Sequence, residues 1–272
     1  MKKIFILISL SMMLISISSD ALANDGDRGN SRHERRYRLE ANVSYEYLSP
    51  NDVYGSWKTV SSGFYGKPMK GFTYFFQLSG FSRKDGEALL GTLGAYKDWS
   101  DSLYTYSAIS VGTESDYLPE IRLDHDFNLK FGAMRAIVWT LGASYIRYFD
   151  IHRDTIISTG MTLYRNEWIW NYKIFRNESD PGDVISYSHL ISIGYGREGW
   201  QWTNLDLSFG KQAYLATYMV NPEEVRRDSL HTSVKHRHWI GDGHGVFGDI
   251  SYFDLKDGYD KYGISIGVFK EF

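Results

Sequence analysis

The chain of 272 residues contains no cysteine and only five prolines. Without cysteine it cannot carry a lipid anchor on cysteine, a disulfide bond or a thiolate metal site. After residue 23 there is no apolar run of the roughly 18 residues that a membrane helix needs, which argues against a helical membrane protein. The net charge of −3 offers no basic footprint, so no nucleic-acid partner is expected.

The N-terminus has the pattern of an export signal. Two lysines precede an apolar run from Ile4 to Ile17, and Ala21 and Ala23 place small residues where signal peptidase reads them. The pattern predicts a Sec-type signal peptide over residues 1–23. A retained N-terminal anchor is the alternative, although the apolar run is short for a membrane span.

Beyond this signal, alternation of polar and apolar residues dominates the chain. Residues 24–36 are polar without an apolar period, which predicts a flexible periplasmic segment. From Tyr37 to Tyr47 every second residue is apolar or aromatic, and the same period of two recurs from Ile121 to Phe131. Because successive side chains of a strand point to opposite faces, each such segment predicts a strand with one apolar and one polar face.

About fourteen segments of this kind follow one another, with twelve as the alternative count, and most have the length of a tilted strand that crosses a bilayer. The predicted strands begin near Tyr37, Ser56, Phe72, Glu87, Leu103, Glu120, Ala136, Asp154, Glu167, Val184, Trp200, Asp228, His244 and Tyr259.

The connections between these segments alternate between short and longer ones. Bacterial membrane barrels have short periplasmic turns and longer external loops, and a chain that starts in the periplasm would give this order. The sequence therefore predicts an all-β fold, a closed antiparallel transmembrane β-barrel over residues 37–272, in the outer membrane of a Gram-negative bacterium. A soluble secreted β-sandwich is the alternative; it explains the alternation but not the order of the connections.

Aromatic residues make up 16% of the chain, and several stand beside predicted short turns. Indole rings favour the boundary between membrane and water, so Trp99, Trp168, Trp200 and Trp239 predict an interface girdle at the periplasmic rim, in contact with outer-membrane lipid. The final Phe272 resembles the C-terminal signal that the barrel-assembly machinery recognises in outer-membrane barrels.

Two groups of residues are candidate catalytic sites. On a strand, His231 and Ser233 share a face, as a nucleophilic serine and its base would require, but no orienting acid is evident nearby. His125 stands between two aspartates, and alternation turns it away from both of them. A polar inner wall is the favoured interpretation of His231 and Ser233, and no enzymatic activity is expected.

Two further patterns are candidate ligand sites. His236 and His238 share a face and could bind zinc, but no third ligand is identifiable. The stretch Gly194–Gly199 matches the dinucleotide fingerprint in letters, but strand-like sequence follows it where a helix would be required. The stretch Gly194–Gly199 therefore favours a tight turn. Neither a metal nor a cofactor is expected.

The charged face of the strands is the informative feature. A charge facing lipid at mid-membrane costs about 2 to 4 kcal/mol, so these residues are expected to face the interior. The predicted lumen-lining residues are Arg38, Glu40, Glu46, Arg122, Asp124, Asp126, Lys130, His231, Lys235 and Arg237.

This inner face admits two interpretations. The charges either pair across strands and fill the barrel, or line a wet pore; about eight strands give a filled interior and about 16 an aqueous channel, and fourteen lies between them. The longest connection, Lys211 to Arg227, is predicted to form a plug or an external lid.

Scattered residues between Trp57 and Phe175 resemble the YaiO family of outer-membrane β-barrels. The matching positions are Asp116 to Arg122, Phe127, Leu141, Gly142, Arg147 to Phe149, Gly160, Tyr164 and Trp168. The resemblance implies an outer-membrane barrel, and members of the family tend to be associated with surface polysaccharide.

Together these observations predict a narrow pore or secretion conduit for surface polysaccharide or another small hydrophilic solute, with periplasmic secretion components as candidate partners. The alternatives are a closed structural barrel whose external loops bind a partner and, third, an embedded hydrolase.

Overall fold

A computed structural model describes residues 35–211 and 228–272 of the chain. The predicted signal peptide, the polar segment up to residue 34 and nearly all of the predicted plug or lid lie outside the described residues. Within the described ranges, no helix has both the length and the hydropathy to cross a bilayer.

Antiparallel strands make up nearly all of the described chain. Besides them it contains a four-residue helix, α1 (Asn51–Tyr54), and one turn of 3-10 helix (Ala133–Arg135). The strands are β1 (Tyr37–Ser49), β2 (Ser56–Met69), β3 (Phe72–Arg83), β4 (Gly86–Asp98), β5 (Leu103–Gly112), β6 (Ile121–Phe131), β7 (Ile137–Arg147), β8 (Arg153–Arg165), β9 (Trp168–Asp180), β10 (Val184–Arg197), β11 (Gln201–Lys211), β12 (Asp228–Gly241), β13 (His244–Leu255) and β14 (Asp260–Glu271).

The strands close into a single barrel. Each strand pairs with its neighbours in sequence, and β1 pairs with β14 from Arg38 opposite Glu271 to Ser49 opposite Asp260. The prediction of a closed antiparallel barrel is confirmed with fourteen strands, and each predicted start lies within one residue of the observed one. Closure leaves no unpaired strand edge, which the bilayer would penalise because lipid offers no hydrogen bonds.

The alternation of the sequence sets the two faces of the wall. On β14 the side chains of Ile264 and Ile266 are 58% and 65% exposed, whereas Ser265 between them is 7% exposed. Along the middle of this strand the exposed side chains are apolar and the covered ones are small, which is the pattern of a wall that faces lipid outside.

The connections at the two ends differ in length. At the end that holds Tyr37 and Phe272, the turns contain two to five residues. At the other end they reach eight residues between β5 and β6, and residues 212–227 connect β11 to β12. We call these the periplasmic end and the external end, because short turns face the periplasm in bacterial barrels.

Strand β2 continues past Gly66 and through Pro68 to Met69. A register shift between Gly66 and Met69 allows this continuation, because a bulge accommodates Pro68, which has no N–H to donate to the ladder.

Candidate functional site: the barrel lumen

The inner face of the wall carries the charged residues. Asp126 on β6 contacts Lys173 on β9, and Glu40 on β1 contacts Arg237 on β12. Two strands separate the partners in each pair, and side chains so far apart around a barrel meet only on its concave side. The residues predicted to line the lumen lie on this inner face: Arg38, Glu40, Glu46, Arg122, Asp124, Asp126, Lys130, His231, Lys235 and Arg237.

Three ion pairs on this face form what we call the charged belt: Arg122–Asp124, Asp126–Lys173 and Asp206–Lys235. The nitrogen–oxygen distances are 2.8, 3.1 and 2.7 Å in that order. Hydroxyl groups extend the belt, since Ser144 donates to Asp124 at 2.6 Å and Ser192 donates to Asp206. These charges are paired and hydrogen-bonded, which offsets much of the cost of their partial burial.

Glycine makes room for the longest of these pairs. A Cβ atom on Gly142 of β7 would lie 2.1 Å from Oδ1 of Asp126, and one on Gly160 of β8 would lie 3.0 Å from Cβ of Lys173. Any side chain at Gly142 would therefore displace the Asp126 carboxylate. The family resemblance drew on both glycines, and the structure gives them a physical role.

A second charged group lies nearer the periplasmic end. Arg38 and Arg237 each approach the same carboxylate oxygen of Glu40 at 2.7 Å. The guanidinium of Arg38 also lies 4.8 Å from the ring centroid of Tyr65, a cation–π distance. Two guanidinium groups thus share one carboxylate on this part of the inner wall.

The other predicted residues of the inner face have separate environments. Glu46 pairs with Lys261, and Nζ of Lys130 lies 4.9 Å from the ring centroid of Tyr104. His231 is 8% exposed, and its Nδ1 atom has no hydrogen-bond partner among the described residues. The hydroxyl of Ser233 lies 3.5 Å from Asp206, so the acid near this serine belongs to the ion pair with Lys235.

Apolar and aromatic side chains cluster on the inner face near the external end. They form what we call the mouth cluster: Leu48, Trp57, Phe253, Leu255 and Tyr259, with Tyr54 packed against it. Beside it, the guanidinium of Arg83 lies between the rings of Trp57 and Tyr117, 4.1 Å from each centroid. Burial raises the pKa of the Tyr117 hydroxyl, which therefore stays protonated and donates to the carbonyl oxygen of Gly86 at 3.1 Å.

Sequence reasoning missed Arg83, Tyr117 and Lys261 as residues of the interior. Lys261 could have been found, because it alternates with the outward-facing Tyr262 at the start of β14. Tyr117 lies in a connection, where alternation gives no information, and its place depends on contacts with distant parts of the chain.

The outer face carries aromatic side chains near the periplasmic end. Trp99, Trp168 and Trp200 are 65%, 42% and 39% exposed. Trp168 stacks on Trp170 at 5.7 Å, and Tyr195 packs between Trp168 and Trp200. These rings lie at or beside the short turns, where an interface girdle is expected to meet the lipid headgroups.

Trp239 is placed differently from its prediction as a girdle residue. It is 8% exposed, packs edge-on against Phe269 at 5.1 Å, and donates from Nε1 to Glu271 at 3.2 Å. The reason is strand parity: Trp239 follows Arg237 by two residues, so both point to the same inner face. Its proximity to a short turn suggested the interface, and alternation decides the direction of the ring.

The remaining patterns from the sequence lie on the outer face or in a turn. His125 points away from its neighbouring aspartates and hydrogen-bonds Ser107 at 2.8 Å. His236 stacks on His238 and bonds Thr203, and the described residues contain no group of three or more potential metal ligands. The stretch Gly194–Gly199 ends β10 and turns into β11.

Comparison with known proteins gives a family and a fold. The profile of the YaiO membrane beta barrel domain matches residues 36–215, and no curated protein matches the sequence.

Three solved structures are similar. A bacterial polysaccharide outer membrane secretin has a TM-score of 0.55 at 10% identity, covering 88% of this chain and 99% of its own. The outer membrane protein Omp33 of Acinetobacter baumannii has a TM-score of 0.53 at 10% identity, covering 87% and 99%. The CymD monoaromatic hydrocarbon channel has a TM-score of 0.53 at 8% identity, covering 88% and 89%.

At such low identities the similar structures establish the fold alone, an outer-membrane barrel of the kind found in porins and channels. The family match extends over more than half of the chain and includes the strands that hold the Asp126–Lys173 pair and its two glycines. The chain therefore belongs to the YaiO membrane β-barrel family, located in the outer membrane of Gram-negative bacteria.

Proposed function

We propose that the barrel is a narrow pore or secretion conduit for small hydrophilic solutes. The observation that carries this proposal is the charged belt, a band of ion pairs and hydroxyl groups on the inner face of a fourteen-stranded barrel. A barrel with no passage to hydrate could fill its interior with apolar side chains, which would cost less than paired charges.

Fourteen strands enclose more room than the roughly eight that side chains alone can fill. Water and solute hydroxyls can hydrogen-bond the polar groups of the belt, whereas apolar solutes gain nothing there. The belt therefore favours hydroxyl-rich solutes over hydrocarbons, and its mixed charges favour neutral solutes over strongly charged ones.

Surface polysaccharide is the solute class to test first. Its support is the association of the family with surface polysaccharide, together with the hydroxyl-rich inner wall. The polysaccharide secretin noted above shares the fold at 10% identity. In this proposal, periplasmic secretion components would deliver the polysaccharide to the periplasmic end of the barrel, and the protein would catalyse no reaction.

A closed structural barrel whose external loops bind a partner is the second candidate. The mouth cluster favours it, because Leu48 and Phe253 are at most 1% exposed and apolar rings cover this part of the external end. In this second candidate the ion pairs would only stabilise the barrel and would line no passage. The embedded hydrolase has little support, since Nδ1 of His231 contacts no hydrogen-bond partner in the described chain.

Uptake into liposomes separates these candidates. Purified protein would be refolded into vesicles, and swelling would be followed in a series of neutral sugars of increasing size. The pore proposal expects swelling with small sugars and a sharp size limit. If vesicles that contain folded protein swell no faster than empty vesicles with the smallest sugar, the closed barrel is the better account.

A further inference from the structure

The connection between β5 and β6, residues 113–120, lies against the inner wall of the barrel instead of extending away from it. Leu118 and Tyr117 are 1% and 7% exposed and pack with Ala88 and Leu90, whose side chains point inward from β4. The backbone folds back closely, because a Cβ atom on Gly112 would lie 2.4 Å from the carbonyl oxygen of Pro119.

Two kinds of contact hold this connection. At its base, Thr113 and Leu89 exchange two hydrogen bonds of 2.9 Å, which fix the start of the segment to β4. We call Tyr117 and Leu118 the tip of the connection. There, the Tyr117 hydroxyl donates to the carbonyl oxygen of Gly86 at 3.1 Å. The tip is attached by side chains alone, so it can leave the wall without breaking the strand ladder.

The tip is also connected to residues of the strands that follow β4 around the wall. The Arg83 guanidinium lies between Tyr117 and Trp57, and the Trp57 ring meets Tyr259 edge-on at 6.0 Å. Tyr259 belongs to the connection between β13 and β14 and packs on Phe253. A continuous row of rings and one guanidinium thus follows the inner wall from the connection between β5 and β6, past β3 and β2, to β13.

We propose that the tip of this connection, with Tyr117 as its latch on Arg83, is an inward gate that closes the external mouth of the pore. Opening moves Tyr117 and Leu118 off the β4 wall. It also separates the Tyr117 ring from the Arg83 guanidinium and thereby breaks the row. The inference rests on the proposed pore function, and it assigns the regulation of that pore to contacts present in the structure.

The gate is tested by single-channel recording of wild-type protein, Tyr117→Ala and Tyr117→Phe in planar bilayers. Tyr117→Ala removes the ring from a desolvated guanidinium, which should raise the ratio of open to closed states roughly tenfold. Tyr117→Phe keeps the ring and loses only the donated hydrogen bond, so its increase should be smaller. Asp116→Ala, at an exposed neighbouring position, should behave as wild type.

A second readout does not need conduction. Because the chain has no cysteine, Leu118→Cys can be labelled alone by a membrane-impermeant thiol reagent, with Asp116→Cys as the exposed reference. Labelling of position 118 should be slow in the wild-type background and about tenfold faster with Tyr117→Ala. Heat-shifted gel mobility establishes that each variant is folded.

The outcomes distinguish the gate from the pore. If wild type and Tyr117→Ala conduct with the same open fraction, the gate is wrong and the pore stands. If every folded variant is silent, the pore is wrong, and the labelling rates then decide whether the tip moves. Equal labelling of position 118 with and without Tyr117 overturns the gate in either case.

Discussion

Single residues of the inner wall act in pairs that reach across intervening strands. Asp126 and Lys173 are partly buried, and each neutralises the other over two strands that carry Gly142 and Gly160. Removing one member leaves an uncompensated charge at a partly buried position, while removing both leaves none. The pair and its glycines therefore form one unit, and their substitutions should not be independent.

The first prediction concerns the pair. Lys173→Met should lower the free energy of unfolding by about 3 kcal/mol, the low end for a broken buried pair, because lumen water partly hydrates Asp126. The double variant Asp126→Asn with Lys173→Met should recover part of that loss. Urea unfolding in lipid vesicles measures both, and a double variant that is less stable than Lys173→Met would contradict the interpretation.

The second prediction concerns the glycine between the partners. Gly142→Ala places a Cβ atom against Asp126 and should destabilise the barrel by about 1 to 3 kcal/mol, as overpacking does. Gly91→Ala is the matched control on β4, where the nearest atom would lie 4.0 Å away. Equal unfolding midpoints for the two variants would mean that the Asp126 side chain has another position available.

Alternation identified residues of the inner wall because it depends only on strand parity, which is local. The same rule gives the direction of Trp239, and the general preference of tryptophan for interfaces led to the opposite prediction. Parity on β3 gives the direction of Arg83, but its contact with Tyr117 could not be placed from the sequence, since it joins β3 to a connection more than thirty residues away.

Among the elements, the seam between β1 and β14 has the greatest separation in sequence. Twelve residue pairs close it, and the backbone of Phe272 exchanges hydrogen bonds of 2.9 Å with Tyr37. The rings of these two residues also pack at 5.9 Å. Such closure of a long loop costs entropy, so the ends of the seam are where its formation is most sensitive.

The third prediction is about this seam and about Phe272 as an assembly signal. Phe272→Ala should reduce the fraction of protein inserted by the barrel-assembly machinery several-fold, because the ring packs on Tyr37 at the seam. Ile264→Ala, at an outward apolar position of the same strand, should have a smaller effect. Heat-shifted mobility of membrane fractions measures insertion, and equal insertion of the two variants would remove the special role of Phe272.

Element boundaries followed from the sequence to within one residue at each strand start, because the period of two begins and ends abruptly. The end of β2 did not follow, since the bulge that carries the strand past Pro68 is a property of pairing with β3. Sequence alone also could not show that the connection between β5 and β6 folds inward.

As a whole, the molecule has an apolar outer belt, a charged inner belt and an apolar cluster at the external mouth. The outer belt fits the outer-membrane location that the family establishes. The charged belt supports a passage, and the mouth cluster supports closure of that passage. A gated pore reconciles the two, because the same barrel can be conducting and closed at different times.

The central claim is that water fills the interior, and conductance of the refolded protein in a planar bilayer tests it most directly. The account predicts reproducible steps that small neutral sugars reduce and that Tyr117→Ala makes more frequent. Heat-shifted gel mobility must first show that the protein is folded. Persistent silence of such protein, in wild type and Tyr117→Ala alike, would contradict the pore and leave a closed barrel.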